Sequence, residues 1–374
     1  MDSLEVDFIQ KNITLYHRGE KILNVDLKKF YQGKKIFVTG HTGFKGSWLC
    51  AILLQFEAKV KGYSLAPTTK PSLFEDLNLS KKMDSIIADI RDLEVLKKEI
   101  NTFKPEIVIH LAAQPLVRES YQNPVDTFAI NVMGSVNVLE ACKNVSSIKS
   151  IVNVTTDKVY LNREWEYGYR EDERLCGFDP YSNSKSCAEL VTYSYKNAFY
   201  SSEDSPALST ARSGNVIGGG DYSANRIVPD CVRATKGGEK IIIRNPYSTR
   251  PYQHVLDCLN GYLILAMKTF NNKGLASSYN FGPNEMDCIK TKQLVELFCQ
   301  NVEAASYEIQ SDNGPHEAQL LRLDCSRARK RLGWIPTWGI EKALKETTDW
   351  YKKYINGGCL KSQTDKQIKE FFDI

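Results

Sequence analysis

Tyr181 and Lys185 stand four residues apart in DPYSNSKSC, a phenol and an ammonium on one face of a helix. A phenol titrates near ~10 and is a poor base at neutral pH; a cation one turn away favours the phenolate. Such a pair takes the proton of a substrate hydroxyl while a hydride leaves the same carbon. Earlier in the chain, SIVNVTTDKVY sets Thr156, Asp157 and Lys158 side by side. Thr156 would hold the reacting oxygen by a hydrogen bond. Asp157 beside Lys158 adds an acid next to a second ionisable group, which allows a proton to be removed and water expelled at neighbouring carbons. Lys158 must be neutral to act as a base, and a second cation such as Lys185 would promote that. Tyr-x-x-x-Lys alone arises by chance in many helices, and Asp-Lys also suits a plain turn. Their order in one chain is what carries information.

Hydride chemistry needs a carrier, and TGHTGFKGSW offers its cradle. Gly40, Gly43 and Gly46 form G-x-x-G-x-x-G between an apolar run and a helical one. Glycines let backbone N–H groups approach a pyrophosphate, and the helix that starts there turns its positive end toward the anion. The second strand should end in an acid for the adenosine ribose. It ends in GYSLAP instead, with Ser64 at that place and Lys61 and Lys70 as the nearest cations. That position selects neither NAD nor NADP. Asp89 in ADIRD is placed to bond the adenine amino group, or to serve as a loop acid.

These residues must be positioned by a sheet. KKIFVTG, AKVKGYSL, SIIADI, EIVIHLAA, SIVNVTT and ALSTARS read as strands, with helices SWLCAILLQF, LEVLKKEINTF, FAINVMGSVNVLEACKN and AELVTYSYKNAFY between them. The alternation predicts an α/β chain: a Rossmann-type doubly wound parallel sheet with a smaller C-terminal substrate-binding lobe. Residues 1–28 read as an extension, 29–220 as the dinucleotide domain carrying the catalytic residues, 221–358 as mainly the substrate lobe with crossover segments, and 359–374 as a tail. Short strands KIIIR, SSYNFG and SYEIQ are expected as isolated pieces of the lobe.

Composition narrows the class. The 374 residues carry a formal net charge of +4 and 42% hydrophobic side chains, enough for a large core and too little clustered charge for nucleic acid. MDSLEVDFIQ lacks the apolar segment of a secretory leader, and no run reaches a membrane span. Ten cysteines without a C-x-x-C pair, and five histidines without H-x-x-x-H spacing, predict reduced thiols and no metal site. A cytoplasmic enzyme is the expectation.

Together, FVTGHTGFKGSWL, GYSLAPTTKPSLFE, DIRD, HLAAQPLVRESY, TDKVY, YSNSK, RPYQHVLD and HEAQLLRLD resemble the nucleotide-sugar 4,6-dehydratases of the extended short-chain dehydrogenase/reductases, and among them the CDP-D-glucose 4,6-dehydratase family. The similarity runs from about Phe30 to Tyr351. Tyr252 stands where that family's pattern has tryptophan. The resemblance implies NAD as cofactor, held by Gly40, Thr42, Gly43, Phe44, Lys45, Gly46, Ser64, Asp89, Ile90, Leu111, Ala112, Ala113, Asn131, Thr155, Tyr181 and Lys185. It implies a nucleotide-sugar partner, CDP-D-glucose, against Gln114, Arg118, Thr156, Asn215, Arg226, Arg244, Arg250 and His316, with Arg212 as another candidate for the diphosphate. Hydride would leave sugar C4, Lys158 would take the C5 proton, Asp157 would protonate the departing C6 hydroxyl, and hydride would return to C6. A homodimer through the two long helices, or a pair of such dimers, is also implied. A dTDP- or UDP-sugar dehydratase, a 4-epimerase and a non-catalytic dinucleotide-binding protein remain open from the residues alone.

Overall fold

Parallel strands buried on both faces are read as apolar runs, and Lys35–Thr39 (KIFVT) forms the first of them, β1. The computed structural model describes residues 27–303, 305–310 and 319–374. After β1 come α1 (Phe44–Gln55), β2 (Lys59–Ser64), β3 (Asp84–Ile87), α2 (Leu93–Phe103), β4 (Ile107–His110), α3 (Gly134–Cys142), β5 (Ser150–Val154), α4 (Pro180–Ala198) and β6 (Ala207–Ser213). The later part adds α5 (Ile227–Gly237), α6 (Val255–Asn271), β7 (Ser278–Phe281), α7 (Thr291–Asn301), α8 (Ile340–Ile355) and α9 (Leu360–Phe372). The sheet order is β7-β6-β5-β4-β1-β2-β3, with every pairing parallel. Its order reverses between β1 and β4, which opens a crevice at their C-terminal ends.

Alternation within the strands divides the core. Ile36 and Val38 face a cluster with Trp48, Leu53, Leu263, Trp350 and Phe372, while Phe37 faces another with Leu96, Val108, Leu139 and Ile151. α6 is buried on nearly every side and closes one face of the sheet. The Asp92 side chain caps α2 by accepting from Val95 N at 3.1 Å, and α4 is capped in the same way by Asp179 with Pro180 in its first turn. That cap starts α4 at Pro180, so Tyr181 and Lys185 both belong to it.

Three sequence expectations change. SSYNFG is not a piece of the lobe: as β7 it extends the main sheet, Tyr279 paired with Ala211. The stretch set aside as a tail holds α9, whose Ile368, Phe371 and Phe372 are buried. At the other end, Leu27 and Tyr31 are fully buried and the Tyr31 hydroxyl donates to Leu263 O at 2.8 Å, so the extension ends in the core; residues 1–26 lie outside the described residues. KIIIR and SYEIQ do pair apart from the sheet, as Ile241–Ile243 with Tyr307–Ile309. All ten cysteines are free thiols. Among the described residues there is no helix long and apolar enough to cross a membrane, and no cluster of metal-ligating side chains.

Candidate active site

β5 delivers Thr155 and the turn after it to the crevice. Thr156 is buried in extended backbone; its hydroxyl donates to Asp157 Oδ1 at 3.0 Å and accepts from Lys158 N at 3.4 Å. Asp157 is wholly buried, and its Oδ1 also takes the Lys158 ammonium at 2.9 Å. Its other oxygen, Oδ2, is buried without a hydrogen-bond partner. A Cβ at Gly214 would come within 2.9 Å of that oxygen, so glycine there keeps its surroundings open. A buried carboxylate oxygen with unused lone pairs is suited to a ligand hydroxyl.

Tyr181 is buried beside this turn. Burial pushes its phenol above the ordinary value, while the Lys158 ammonium and a hydrogen bond with Thr156 pull it down. Lys158 is thus a cation bearing on the phenol, while the Lys185 ammonium donates to Val154 O at 3.2 Å. Burial, and then the Lys45 ammonium, lower Lys185 to about 8. Arg226 also acts on the Tyr181 phenol and pairs with Asp221 at 2.8 Å, which places it at the reacting end of the crevice.

The glycine turn fits a pyrophosphate. Gly40 adopts φ +75°, and a Cβ there would lie 2.7 Å from Ala112 N; a Cβ at Gly46 would overlap Gly40 O at 2.0 Å. Gly43 caps α1 with no side-chain hydrogen bond, leaving the first N–H groups of that helix for an anion. Thr42 Oγ1 donates to Leu65 O at 2.8 Å and meets Ser64 Oγ at 3.0 Å, so the two hydroxyls brace the end of β2. Phe44 packs against the core, and Lys45 turns inward to donate to Ser213 Oγ at 3.0 Å. Thr39 Oγ1 accepts from Leu111 N and Ala112 N, each at 3.2 Å, locking the strand ends on both sides of the crevice, with Ala113 next along.

Other candidates are held by neighbours. Asp89 accepts from Arg91 Nη2 at 2.7 Å, which keeps its carboxyl below the usual range, and Ile90 packs on Gly134. The Asn131 side-chain amide accepts from Gln114 N and donates to Gln114 O, and it also donates to Ser184 Oγ at 2.9 Å, tying the loop after β4 to α4. The Gln114 amide is spent on Thr127 and Leu116 N, so its side chain shapes that loop. Arg118 lies in the short helix Val117–Gln122 after it. Asn215 Oδ1 is buried without a partner, Arg244 lies 3.8 Å from Asp230, and Arg250 is buried with Nη1 on Thr249 O at 3.2 Å. His316 is outside the described residues.

Two expectations are corrected. Arg212 does not reach toward a diphosphate: it is buried in a bidentate pair with Glu189, Nε and Nη2 each at 2.8 Å. The Thr155 hydroxyl likewise turns away from the crevice, onto Glu189 Oε1 at 2.5 Å. Sequence reasoning passed over Glu189 altogether, although it lies four residues beyond Lys185, on the helix face that Tyr181 and Lys185 share.

The sequence pattern of the GDP-mannose 4,6 dehydratase family matches residues 37–347. The chain belongs to this family. Within it, the chain is 47% identical over 350 residues to the CDP-glucose 4,6-dehydratase of Salmonella typhimurium, covering 92% of this chain and 98% of that protein. Among solved structures, an epimerase from Methanothermobacter thermautotrophicus superposes with a TM-score of 0.77 at 21% identity, over 90% of this chain and 98% of that one. The dTDP-glucose 4,6-dehydratase of Bacillus anthracis, in complex with NAD, gives 0.72 at 21%, over 87% and 99%. At such identities these two speak for the fold, the doubly wound sheet of the family.

Proposed function

We propose that the chain is an NAD-dependent lyase that converts CDP-D-glucose to CDP-4-keto-6-deoxy-D-glucose and water, a step towards deoxysugars. The observation that carries this reading is the Thr156-Asp157-Lys158 turn set against Tyr181, with an unused, buried Asp157 oxygen. A 4-epimerase needs the tyrosine, the lysine and a hydroxyl; it has no work for an acid and a second amine beside them. The close relatedness to the Salmonella protein supports CDP-D-glucose over other nucleotide hexoses.

NAD, when bound over the glycine turn, supplies the acceptor and later the donor of hydride. Tyr181 takes the C4 hydroxyl proton, and Thr156 holds that oxygen. The resulting 4-ketone acidifies the C5 hydrogen, which Lys158 removes as a proton. For this the proton shared at 2.9 Å must lie on Asp157 Oδ1, which leaves Lys158 a neutral amine for the C5 proton and makes Asp157 the acid that protonates the departing C6 hydroxyl. Water leaves, and the hydride held by the cofactor would return to C6, with no net oxidation. Arg226 and Arg250 are assigned to the substrate's diphosphate.

A homodimer is part of the proposal. Val125, Met133, Leu190 and Tyr193 are exposed, and they lie on the neighbouring helical segments 124–142 and 180–198, which leaves an apolar face for a four-helix contact. The ten free thiols support a cytoplasmic location.

The test is incubation with CDP-, dTDP- and UDP-glucose, followed by the alkaline chromophore of the 4-keto product. Product from CDP-glucose in clear preference supports the assignment. Preference for another base moves the substrate, and NAD binding without any product removes the enzyme.

A further inference from the structure

Glu189 and Arg212 form a buried ion pair outside the reacting groups, with side chains 2% and 3% exposed. The carboxylate is saturated. Oε1 accepts from Thr155 Oγ1 at 2.5 Å and Arg212 Nε at 2.8 Å; Oε2 accepts from Thr210 Oγ1 and Arg212 Nη2, both at 2.8 Å, with Ser278 Oγ farther off at 3.5 Å. Arg212 Nη1 passes the network on, to Tyr160 Oη at 2.9 Å and Glu171 O at 3.0 Å. Tyr160 in turn donates to Asn280 Oδ1 at 2.6 Å on β7.

Where the members lie matters more than their number. Thr155 immediately precedes Thr156, Tyr160 follows Lys158 by two residues, and Glu189 follows Lys185 by one helical turn. Thr210 and Arg212 come from β6, the strand paired with β5. A pair of this kind adds little net stability over apolar side chains of the same volume, since desolvation offsets the attraction. Its directional bonds do fix relative position, because each close donor must meet a lone pair of the carboxylate.

We infer that the Glu189–Arg212 pair is a positioning device that sets α4, with Tyr181 and Lys185, against the Thr156-Asp157-Lys158 turn. The inference rests on the proposed roles of those residues. Neither member touches substrate; both act through the groups they locate. A misplacement near 1 Å at the reacting groups costs on the order of 100-fold in rate.

The experiment uses the full-length protein. Glu189→Gln alone leaves Arg212 buried and unpaired, and loses stability for that reason. The informative variant is Glu189→Gln combined with Arg212→Met, which removes both charges. It is expected to regain most of the thermal midpoint lost by the single change, while kcat stays down about 100-fold and KM moves less than about 3-fold. A second readout needs no substrate: the ultraviolet tyrosinate titration of Tyr181, isolated by subtracting the matching Tyr181→Phe protein. Its midpoint is expected to shift by at least ~0.5 pH unit. Glu189→Asp keeps the charge and draws it back by one methylene, and should show the same two changes without unpairing Arg212. Recovery of kcat together with stability, or an unmoved Tyr181 midpoint in both variants, overturns the inference. If the parent protein converts no nucleotide hexose, the functional reading fails, and the Tyr181 midpoint still decides the positioning role.

Discussion

Lys158 faces two partners at once, the Asp157 carboxylate at 2.9 Å and the Tyr181 phenol on which its charge acts. That places proton removal and hydroxyl activation within one small volume, and the two can be separated by substitution. Tyr181→Phe removes the acceptor for the C4 hydroxyl proton. Turnover of CDP-glucose should fall by about 10²–10⁴-fold with the melting temperature preserved, measured by the alkaline chromophore. Lys158→Met takes a cation from the Tyr181 phenol and so should slow C4 oxidation, and it should stop elimination, so that reduced-cofactor absorbance rises on mixing and persists. Rapid decay of that signal with normal product would remove Lys158 as the base. The identity of these groups was legible in the sequence; their mutual orientation was not. Tyr181 and Lys185 share a helical face, yet the lysine's ammonium ends on a β5 carbonyl, and Lys158 and Arg226 also bear on the phenol. Arg212 was a candidate for the diphosphate because it precedes the SGNVIGGG loop and arginine suits bidentate contacts. In β6, where every residue is buried, it could persist only with a buried carboxylate, and Glu189 sits on another element.

At the scale of elements, the cradle is the most constrained. Gly46 lies where any side chain meets the Gly40 carbonyl, so Gly46→Ala must move the turn that opens α1. The expected loss is ~1–3 kcal/mol of stability by denaturant titration. NAD affinity should fall at least tenfold by calorimetry; unchanged affinity would show that the cradle is not where the dinucleotide binds. The central strands and α2 were readable because burial on both faces makes parallel strands apolar throughout, and because LEVLKKEINTF repeats its apolar residues at helical spacing. β7 was misplaced for an equally physical reason. Its Asn280 is polar yet fully buried, bonded to Tyr160, Tyr169 O and Asp324 O, so the strand lacks the apolar run of its neighbours. α9 was hidden likewise, by buried polar residues: Gln367 bonds Glu346 O at 2.7 Å and Thr364 accepts from Trp350 Nε1 at 2.9 Å.

For the whole molecule, pH acts through a few buried groups. Burial lowers His41 to about 4, and His110 and His254 to about 3. Unfolded, each binds a proton near pH ~6.5, so the stability tied to their neutrality is present above that value and is lost as pH falls toward 4. Asp257 works in the opposite sense: burial raises it to about 7, so its penalty grows as pH rises from ~4 to 7. Three groups against one give a net loss on acidification. The denaturation midpoint should drop between pH 6.5 and 4.5, and Asp257→Asn should make that drop steeper; a flatter profile would contradict the assignment. The proposed dimer is tested by Leu190→Arg with Tyr193→Glu, expected to halve the mass seen by light scattering while leaving the monomer folded.

Phe372 packs edge-on against Phe56 at 5.1 Å, and Asp365 accepts from Gln55 at 3.0 Å. The last turns of the chain thus seal the helix that opens the first βα unit. On a ribosome, that helix emerges more than three hundred residues before its cover. The first βα unit therefore completes its packing only once α9 has emerged, and a nascent chain stalled before α9 leaves that apolar face exposed.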